Sequence, residues 1–305
     1  MKRDKIDPDS LTQLTCIIPF REDSRPRRQN LSAVVRYLTE LGCAIVVSEF
    51  GARQRAAPEA FGADRLKCSY QFYPDVGPLF HHTRARNRAA YSARTALIAL
   101  WDADIIIPYT QLAWSAARLL ERECDYAFPY DGRFVDFAGH VSAGYVSSAM
   151  RQIALATRPP QVTEYVDGTV TVVADGRKLA GRTVTTTSVG GAVLFRRDVF
   201  MEGGMENEAF VSYGPEDQER NYRFRKLGFV SCRAKGLLYH LAHPRGVNSD
   251  DGHPFTDSNW AEFRRIKALS RSRLAAEVAG WRSVQKLESR VAARIRLRRS
   301  WSLVL

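Results

Sequence analysis

Ala99-Leu100-Trp101-Asp102-Ala103-Asp104-Ile105-Ile106-Ile107-Pro108 is the stretch on which the reading of this chain turns. An apolar run enters, two carboxylates sit one residue apart, and a second apolar run leaves and stops at a proline. Carboxylates buried without partners inside such a run would be costly. A strand therefore ends near Asp102, and the acids face a cleft. Two oxygen ligands this close together suit a hard divalent cation, and such a cation suits a diphosphate. Asp-x-Asp is common by chance, so the rest of the chain has to supply the other parts of a site.

Upstream, Thr15-Cys16-Ile17-Ile18-Pro19-Phe20 reads as a buried strand, closed by the charged loop from Arg21 to Arg25. Leu31, Val34, Val35, Leu38 and Leu41 recur at helical spacing, and Gly42 stands where the helix stops. Ala44 to Glu49 is a second strand ending in an acid. This β-α-β opening predicts a parallel sheet with ligand loops at the carboxyl ends of its strands. No Gly-x-Gly-x-x-Gly follows either strand, so neither a dinucleotide fold nor a phosphate-binding P-loop is supported. Residues 69–73 make a third strand. A helix from about His81 to Ala96 then leads into the acidic stretch. Its Arg84 and Asn87, at i and i+3, share one face and point either at phosphate and ribose or simply at solvent. His81 and His82 read as loop histidines, at the surface or as ligands.

Downstream, Gln111 to Glu123 reads as a helix and Asp125 to Tyr130 as a strand. From Asp131 to Thr187 the rhythm is lost, with a hairpin signal at Thr169–Val173 between two Asp-Gly pairs. This segment is expected to be a loop-rich excursion shaping an acceptor pocket. Gly190 and Gly191 allow close backbone approach to a ligand before an apolar strand. Gly203-Gly204-Met205 and Tyr213-Gly214-Pro215-Glu216-Asp217 follow, and a helix runs from Glu216 to Gly228. Acids in a first helical turn often only complement the dipole, which suffices for Glu219. For Glu216 and Asp217 the preceding glycines and aromatic favour a general base toward a hydroxyl. Finally, Gly236 to Arg245 is a strand running into a loop with His240 and His243, and imidazoles there could complete the shell of a Mn²⁺-class ion.

The 305 residues, 45% of them hydrophobic, suffice for one large α/β domain or two smaller ones. No apolar run approaches the roughly 20 residues of a membrane span, and Met1-Lys2-Arg3-Asp4 lacks the apolar core of a leader. Five scattered cysteines (Cys16, Cys43, Cys68, Cys124, Cys232) with no Cys-x-x-Cys predict buried, reduced thiols in a cytoplasmic protein. The net charge of +12 is concentrated at the end, where Glu262 to Arg299 carries twelve Lys/Arg against three Glu. The basic balance thus describes an appendage and does not argue for nucleic-acid binding.

Taken together, Ile18-Pro19-Phe20-Arg21, Arg84-x-x-Asn87, Asp102-Ala103-Asp104, Gly203-Gly204-Met205 through Glu216-Asp217, and His240-Leu241-Ala242-His243-Pro244 resemble the GT-A-fold glycosyltransferases. Within them the likeness is to the β-1,4-galactosyltransferase and bacterial chondroitin-polymerase-like group. It spans about Thr15 to Arg245, in the family's order. The resemblance implies a Rossmann-like nucleotide-diphospho-sugar fold over residues 12–250, with a mixed sheet flanked by helices. It implies that Pro19, Phe20, Arg21, Glu49, Arg84, Asn87, Asp102, Ala103, Asp104, Gly190 and Gly191 surround the nucleotide and donor. Tyr213, Gly204 and Met205 would face the acceptor. Asp104, Asp102, His240 and His243 would hold Mn²⁺, with Mg²⁺ the other choice. Asp217 would be the base and Glu216 would orient a sugar. The reaction implied is inverting transfer of a hexose (Gal, GalNAc, Glc or GlcNAc type) from a UDP-sugar to a glycan or lipid-linked acceptor. Two departures, Tyr213 where the family often has Trp and the unmatched 131–187, both fall on the acceptor side.

Trp260, Phe263, Ile266, Leu274, Val278, Trp281, Val284, Leu287, Val291 and Ile295 recur mostly every three or four residues among arginines. A basic amphipathic helical extension over 258–300 is expected. It would pack on the catalytic domain, dock on an anionic membrane at the inner face, or bind a partner helix. Two other functions fit the sequence less well. A sugar-nucleotide nucleotidyltransferase would want a glycine-rich basic loop after the first strand, and Arg21–Arg28 has no glycine. A catalytically inactive GT-A-like binding module is disfavoured by the intact Asp102, Asp104, Asp217 and His240.

Overall fold

The computed structural model describes residues 8–56, 68–137, 151–174 and 176–281. After a 3-10 turn at Pro8–Gln13, β1 (Leu14–Phe20) is buried along its whole length, as a central strand covered on both faces must be. α1 (Arg25–Glu40) starts where the Ser24 side chain accepts from the Arg27 N–H, with proline in its first turn. It ends at Leu41, and Gly42 takes a φ of 85° that a side chain would oppose. Its Leu31, Val34, Val35 and Leu38 enter the core.

β2 (Ala44–Gly51) and β3 (Cys68–Pro74) extend the sheet in parallel. α2 (His82–Ala90) crosses to β4 (Leu97–Trp101), which pairs in parallel with β1 on its other side. β11 (Ala192–Arg196) lies antiparallel to both β4 and β6 (Tyr126–Phe128), and β12 (Ser231–Arg233) closes the edge. The order is β12-β6-β11-β4-β1-β2-β3, a mixed sheet flanked by helices, as expected. α2 ends six residues earlier than the expected Ala96, because the chain turns at residues 91–96 to enter β4.

The apolar run around the paired acids is divided between two sheets. β4 stops at Trp101, the acids occupy a turn, and β5 (Ile105–Ile106) joins a second sheet. The buried Trp101 indole donates to the Ile105 carbonyl at 3.0 Å and closes that turn. The second sheet has the order β5-β13-β7-β10-β9-β8, with β13 (Leu238–Leu241), β7 (Phe134–Phe137), β10 (Arg177–Thr185), β9 (Thr169–Ala174) and β8 (Gln161–Glu164). The segment 131–187 is thus less irregular than its sequence implies. The hairpin signal is genuine, with β9 and β10 antiparallel, and β7 is a central strand of this sheet.

α3 (Tyr109–Leu120), α4 (Arg151–Leu155), α5 (Arg197–Glu202) and α6 (Glu216–Leu227) cover the sheets. α7 (Thr256–Ala268) and α8 (Arg271–Ala279) pack on α6, where Ile266, Leu274 and Val278 meet Leu227, Leu269 and Trp281. The described part of the C-terminal extension is therefore docked on the body of the protein. Val284 to Ile295 lie outside the described residues. Among the described residues no helix is long and apolar enough to cross a membrane.

One cysteine expectation is corrected. Cys124, next to β6, and Cys232 in β12 are joined as a disulfide, because the pairing of these strands brings Cα atoms 108 residues apart in sequence to 6.0 Å. Cys16, Cys43 and Cys68 are buried thiols, as expected.

Candidate active site

The turn between β4 and β5 presents Asp104 to the end of β13. There, ligand atoms of Asp104, His240 and His243 lie within 4.8 Å of one another. His243 Nε2 is 3.1 Å from Asp104 Oδ2, and His240 Nε2 is 3.8 Å from Oδ1. The far nitrogens are also engaged. His243 Nδ1 lies 2.9 Å from the Pro244 carbonyl, so Nε2 is the nitrogen turned toward Asp104. His240 Nδ1 is bonded to Asp136 in β7, directly opposite it in the strand register. A ligating histidine held by a carboxylate on its other nitrogen is the usual support of a metal site.

The donor set, one carboxylate and two imidazoles, fits a divalent cation that accepts nitrogen as well as oxygen ligands. Burial opposes the charge on Asp104, but His240, His243 and Arg27 outweigh it and hold its pKa below the ordinary carboxylate value. Burial likewise works against the charged form of His240, and Asp104 and Asp136 raise its pKa in spite of that.

Asp102 does not share this cluster. Its carboxylate turns to Arg86, which donates to Oδ1 at 2.7 Å. Arg86 is itself buried and also reaches Glu206 at 3.3 Å and Asp217 at 3.5 Å. Asp102, expected among the metal ligands, thus lies outside the Asp104–His240–His243 group. An ion pair with a guanidinium satisfies it instead, and through Arg86 it is tied to Asp217 at the start of α6.

On Asp217, Oδ1 accepts from Arg220 at 2.5 Å and faces Arg86, while Oδ2 lies against Gly190, where a Cβ would overlap it. Burial pushes the Asp217 pKa up, yet Arg220 and Arg86 more than reverse this, so it is ionised well below neutrality. Glu216 Oε1 is 3.1 Å from His82 Nε2, and Glu216 Oε2 is buried without a hydrogen-bond partner among the described residues. Tyr213, before the helix, is 42% exposed and open to a ligand. Its loop is fixed from behind by the buried Asn259 of α7, whose side-chain amide donates to the Val211 and Tyr213 carbonyls.

No family model matches the sequence, and no curated protein does. Among solved structures, the chain is similar to one of GalNAc-T7 with UDP, GalNAc and Mn²⁺, at 13% identity and a TM-score of 0.49 over 83% of this chain and 47% of that one. It is also similar to the catalytic domain of Drosophila beta1,4galactosyltransferase 7 in complex with xylobiose, at 15% identity and a TM-score of 0.44, over 85% and 82% of the two chains. The chain spans about half the length of the GalNAc-T7 chain it matches.

The other sequence-predicted residues divide into those that line the site and those that build it. Arg21 borders a cavity of about 210 Å³ with Glu22, Glu49, Arg53 and Arg55. Its guanidinium is tethered to the Leu79 and Gly77 carbonyls and to Asp75. Gly191, at φ 78°, accepts from the Asp102 N–H and lies against Leu238 and Ile105. Pro19 and Ala103 are buried beside the site.

Six of the expected residues make contacts within the protein itself. The Phe20 side chain is 1% exposed and belongs to the core. Glu49 is occupied by the Arg55 and Ala56 N–H groups and the Tyr70 hydroxyl, so it staples a loop. Arg84 points outward to Glu208, 42% exposed. Asn87 is buried, bonded to the Glu206 backbone and to Glu208. Gly204 lies under α8, where a Cβ would come within 2.6 Å of Val278, and Met205 is fully buried in the main core.

Sequence reading missed Arg86, Asp136, Arg27 and Arg220, and it left His82 between surface and ligand. Arg86 sits between the two residues that were selected, and helical spacing alone does not reveal which way the helix turns its face. Asp136 lay in the segment without rhythm, and its pairing with His240 follows only from strand register.

Proposed function

We propose that this chain is a metal-dependent, inverting glycosyltransferase that moves a hexose from a UDP-sugar to a hydroxyl of a glycan or lipid-linked acceptor. The observation that carries this reading is the joint placement of the Asp104–His240–His243 cluster and Asp217, joined through Asp102 and Arg86. A bound Mn²⁺ would neutralise the diphosphate as it leaves. Arg21 and the cavity beside it would receive the nucleotide.

Asp217 does the proton chemistry. Its Oδ1 is held by Arg220 and Arg86, and its Oδ2 takes the proton of the acceptor hydroxyl. The acceptor oxygen bonds to the anomeric carbon as the bond to the diphosphate breaks, and the electron pair leaves with UDP. Attack from the face opposite the leaving group inverts the anomeric centre, and no protein nucleophile is required. Glu216, with one oxygen unsatisfied, is suited to accept a hydrogen bond from a sugar hydroxyl.

The test is calorimetry of UDP binding with and without Mn²⁺, followed by a screen of UDP-sugars for slow hydrolysis. UDP should bind more tightly with Mn²⁺, and Asp104→Ala should remove that gain. Equal UDP affinity with and without metal would refute the proposal. Hydrolysis of one UDP-sugar identifies the donor before any acceptor is known.

A further inference from the structure

Arg27, in the first turn of α1, reaches across to the metal cluster. Its Nη2 lies 3.4 Å from Asp104 Oδ2 and 3.2 Å from His243 Nε2. These are among the ligand atoms that a cation would require. His243 Nδ1 is taken up by the Pro244 carbonyl, which leaves Nε2 as the ring nitrogen that Arg27 and a cation would both face. A guanidinium has donors only. Arg27 and a cation therefore compete for Asp104 Oδ2 and for the approach to His243 Nε2.

Arg27 also has a second seat. Its Nη1 is 3.1 Å from Asp23 Oδ2, one turn back. The anchoring at the cluster is incomplete, since Arg27 Nε is buried with no hydrogen-bond partner among the described residues. The backbone beneath it is fixed, because the Ser24 cap holds the Arg27 N–H. Motion is thus confined to the side chain.

We propose that Arg27 is a built-in competitor for the cation, keeping Asp104 and His243 compensated and yielding their lone pairs by turning fully to Asp23. The proposal rests on the metal-site reading above. It makes metal affinity weaker than the ligand set alone would give, and it makes that affinity depend on Asp23, which is not a ligand.

The experiment is titration of MnCl₂ into the full chain by calorimetry at about 0.15 M salt, where long-range surface charge is screened. Circular dichroism verifies that each variant folds. Arg27→Met removes both a competitor and a like charge, so Mn²⁺ should bind about tenfold tighter, the scale of one charge-assisted hydrogen bond. Asp23→Asn removes the second seat, so binding should weaken by about threefold or more, and in the Arg27→Met background the same change should have no effect beyond about twofold. Arg27→Gln serves if the methionine variant misfolds. Mn²⁺ affinity unchanged or weaker in both Arg27 variants overturns the proposal while leaving the metal site standing. An Asp23→Asn effect that survives without Arg27 also overturns it. Failure of wild type and variants alike to bind Mn²⁺ overturns this proposal and the metal-site reading together.

Discussion

Replacing Arg86 with methionine is the sharpest perturbation the structure offers, because one buried guanidinium serves three carboxylates on three different segments. It contacts Asp102 at 2.7 Å, Glu206 at 3.3 Å and Asp217 at 3.5 Å. Removing one partner of a buried ion pair costs about 3–5 kcal/mol, since the remaining charge is left without compensation. Two features place this case near the lower end. Arg220 continues to hold Glu206 at 2.7 Å and Asp217 at 2.5 Å. The Asp102 side chain is 36% exposed and can take water once released. Arg86→Met should therefore destabilise by about 3 kcal/mol in urea unfolding at pH 7.

The loss has a second signature. Arg86 opposes the effect of burial on Asp102, which already has a raised pKa. Without Arg86 that pKa rises further, and the Asp102 penalty vanishes where the carboxyl is protonated. The deficit relative to wild type should thus shrink as the pH is lowered from 7. Asp102→Asn in the Arg86→Met background should restore part of the stability, a coupling that a double-mutant cycle measures. A loss under about 1 kcal/mol, or a deficit independent of both pH and Asp102, would refute the view that Arg86 joins the acidic turn to the α6 base.

Other expectations follow the same contacts. Asp136→Asn weakens the carboxylate behind His240 and should lower Mn²⁺ affinity about 10- to 100-fold with little change in thermal stability, read by metal titration and calorimetric melting. Gly190→Ala places a methyl against Asp217 Oδ2 and should reduce transfer or donor hydrolysis more than it reduces UDP binding, which an activity assay paired with UDP calorimetry separates. Asp131 is held by Arg133 and by the Arg133 and Gly236 N–H groups, which outweigh burial and depress its pKa. Its folded pKa lies below the unfolded value of about 3.9, so its contribution is present above that pH and fades as pH falls through the folded value. Asp131→Asn should consequently destabilise at pH 6 and bring the chain closer to wild type below about pH 3, as acid-unfolding curves would show.

The legible parts of this chain were those governed by neighbours in sequence. β1, α1 and β2 announced themselves through an apolar run, a helical stripe, a glycine stop and a second apolar run. The placement of paired acids at a strand end, of histidines at the end of β13 and of Asp217 at the start of α6 could be read the same way. The segment 131–187 was harder. Its strands are short and half-exposed at β8, and the partner that buries β7 is β13, about a hundred residues away. Gly204 was hard to place because glycine tolerates close approach by any neighbour. The neighbour here is α8, not a ligand.

By itself the sequence determined the succession of strands and helices, the acidic turn between two apolar runs, and the candidate chemistry of Asp104, Asp217, His240 and His243, because periodicity and end signals act over a few residues. Only the tertiary structure decided which aspartate stays with the histidines and which turns to Arg86, that Asp136 stands behind His240, and that Arg27 reaches the metal ligands. Those contacts join residues 16 to 216 positions apart. Their partners are set by sheet register and by the direction each helix face takes when it packs, and neither is encoded in local spacing.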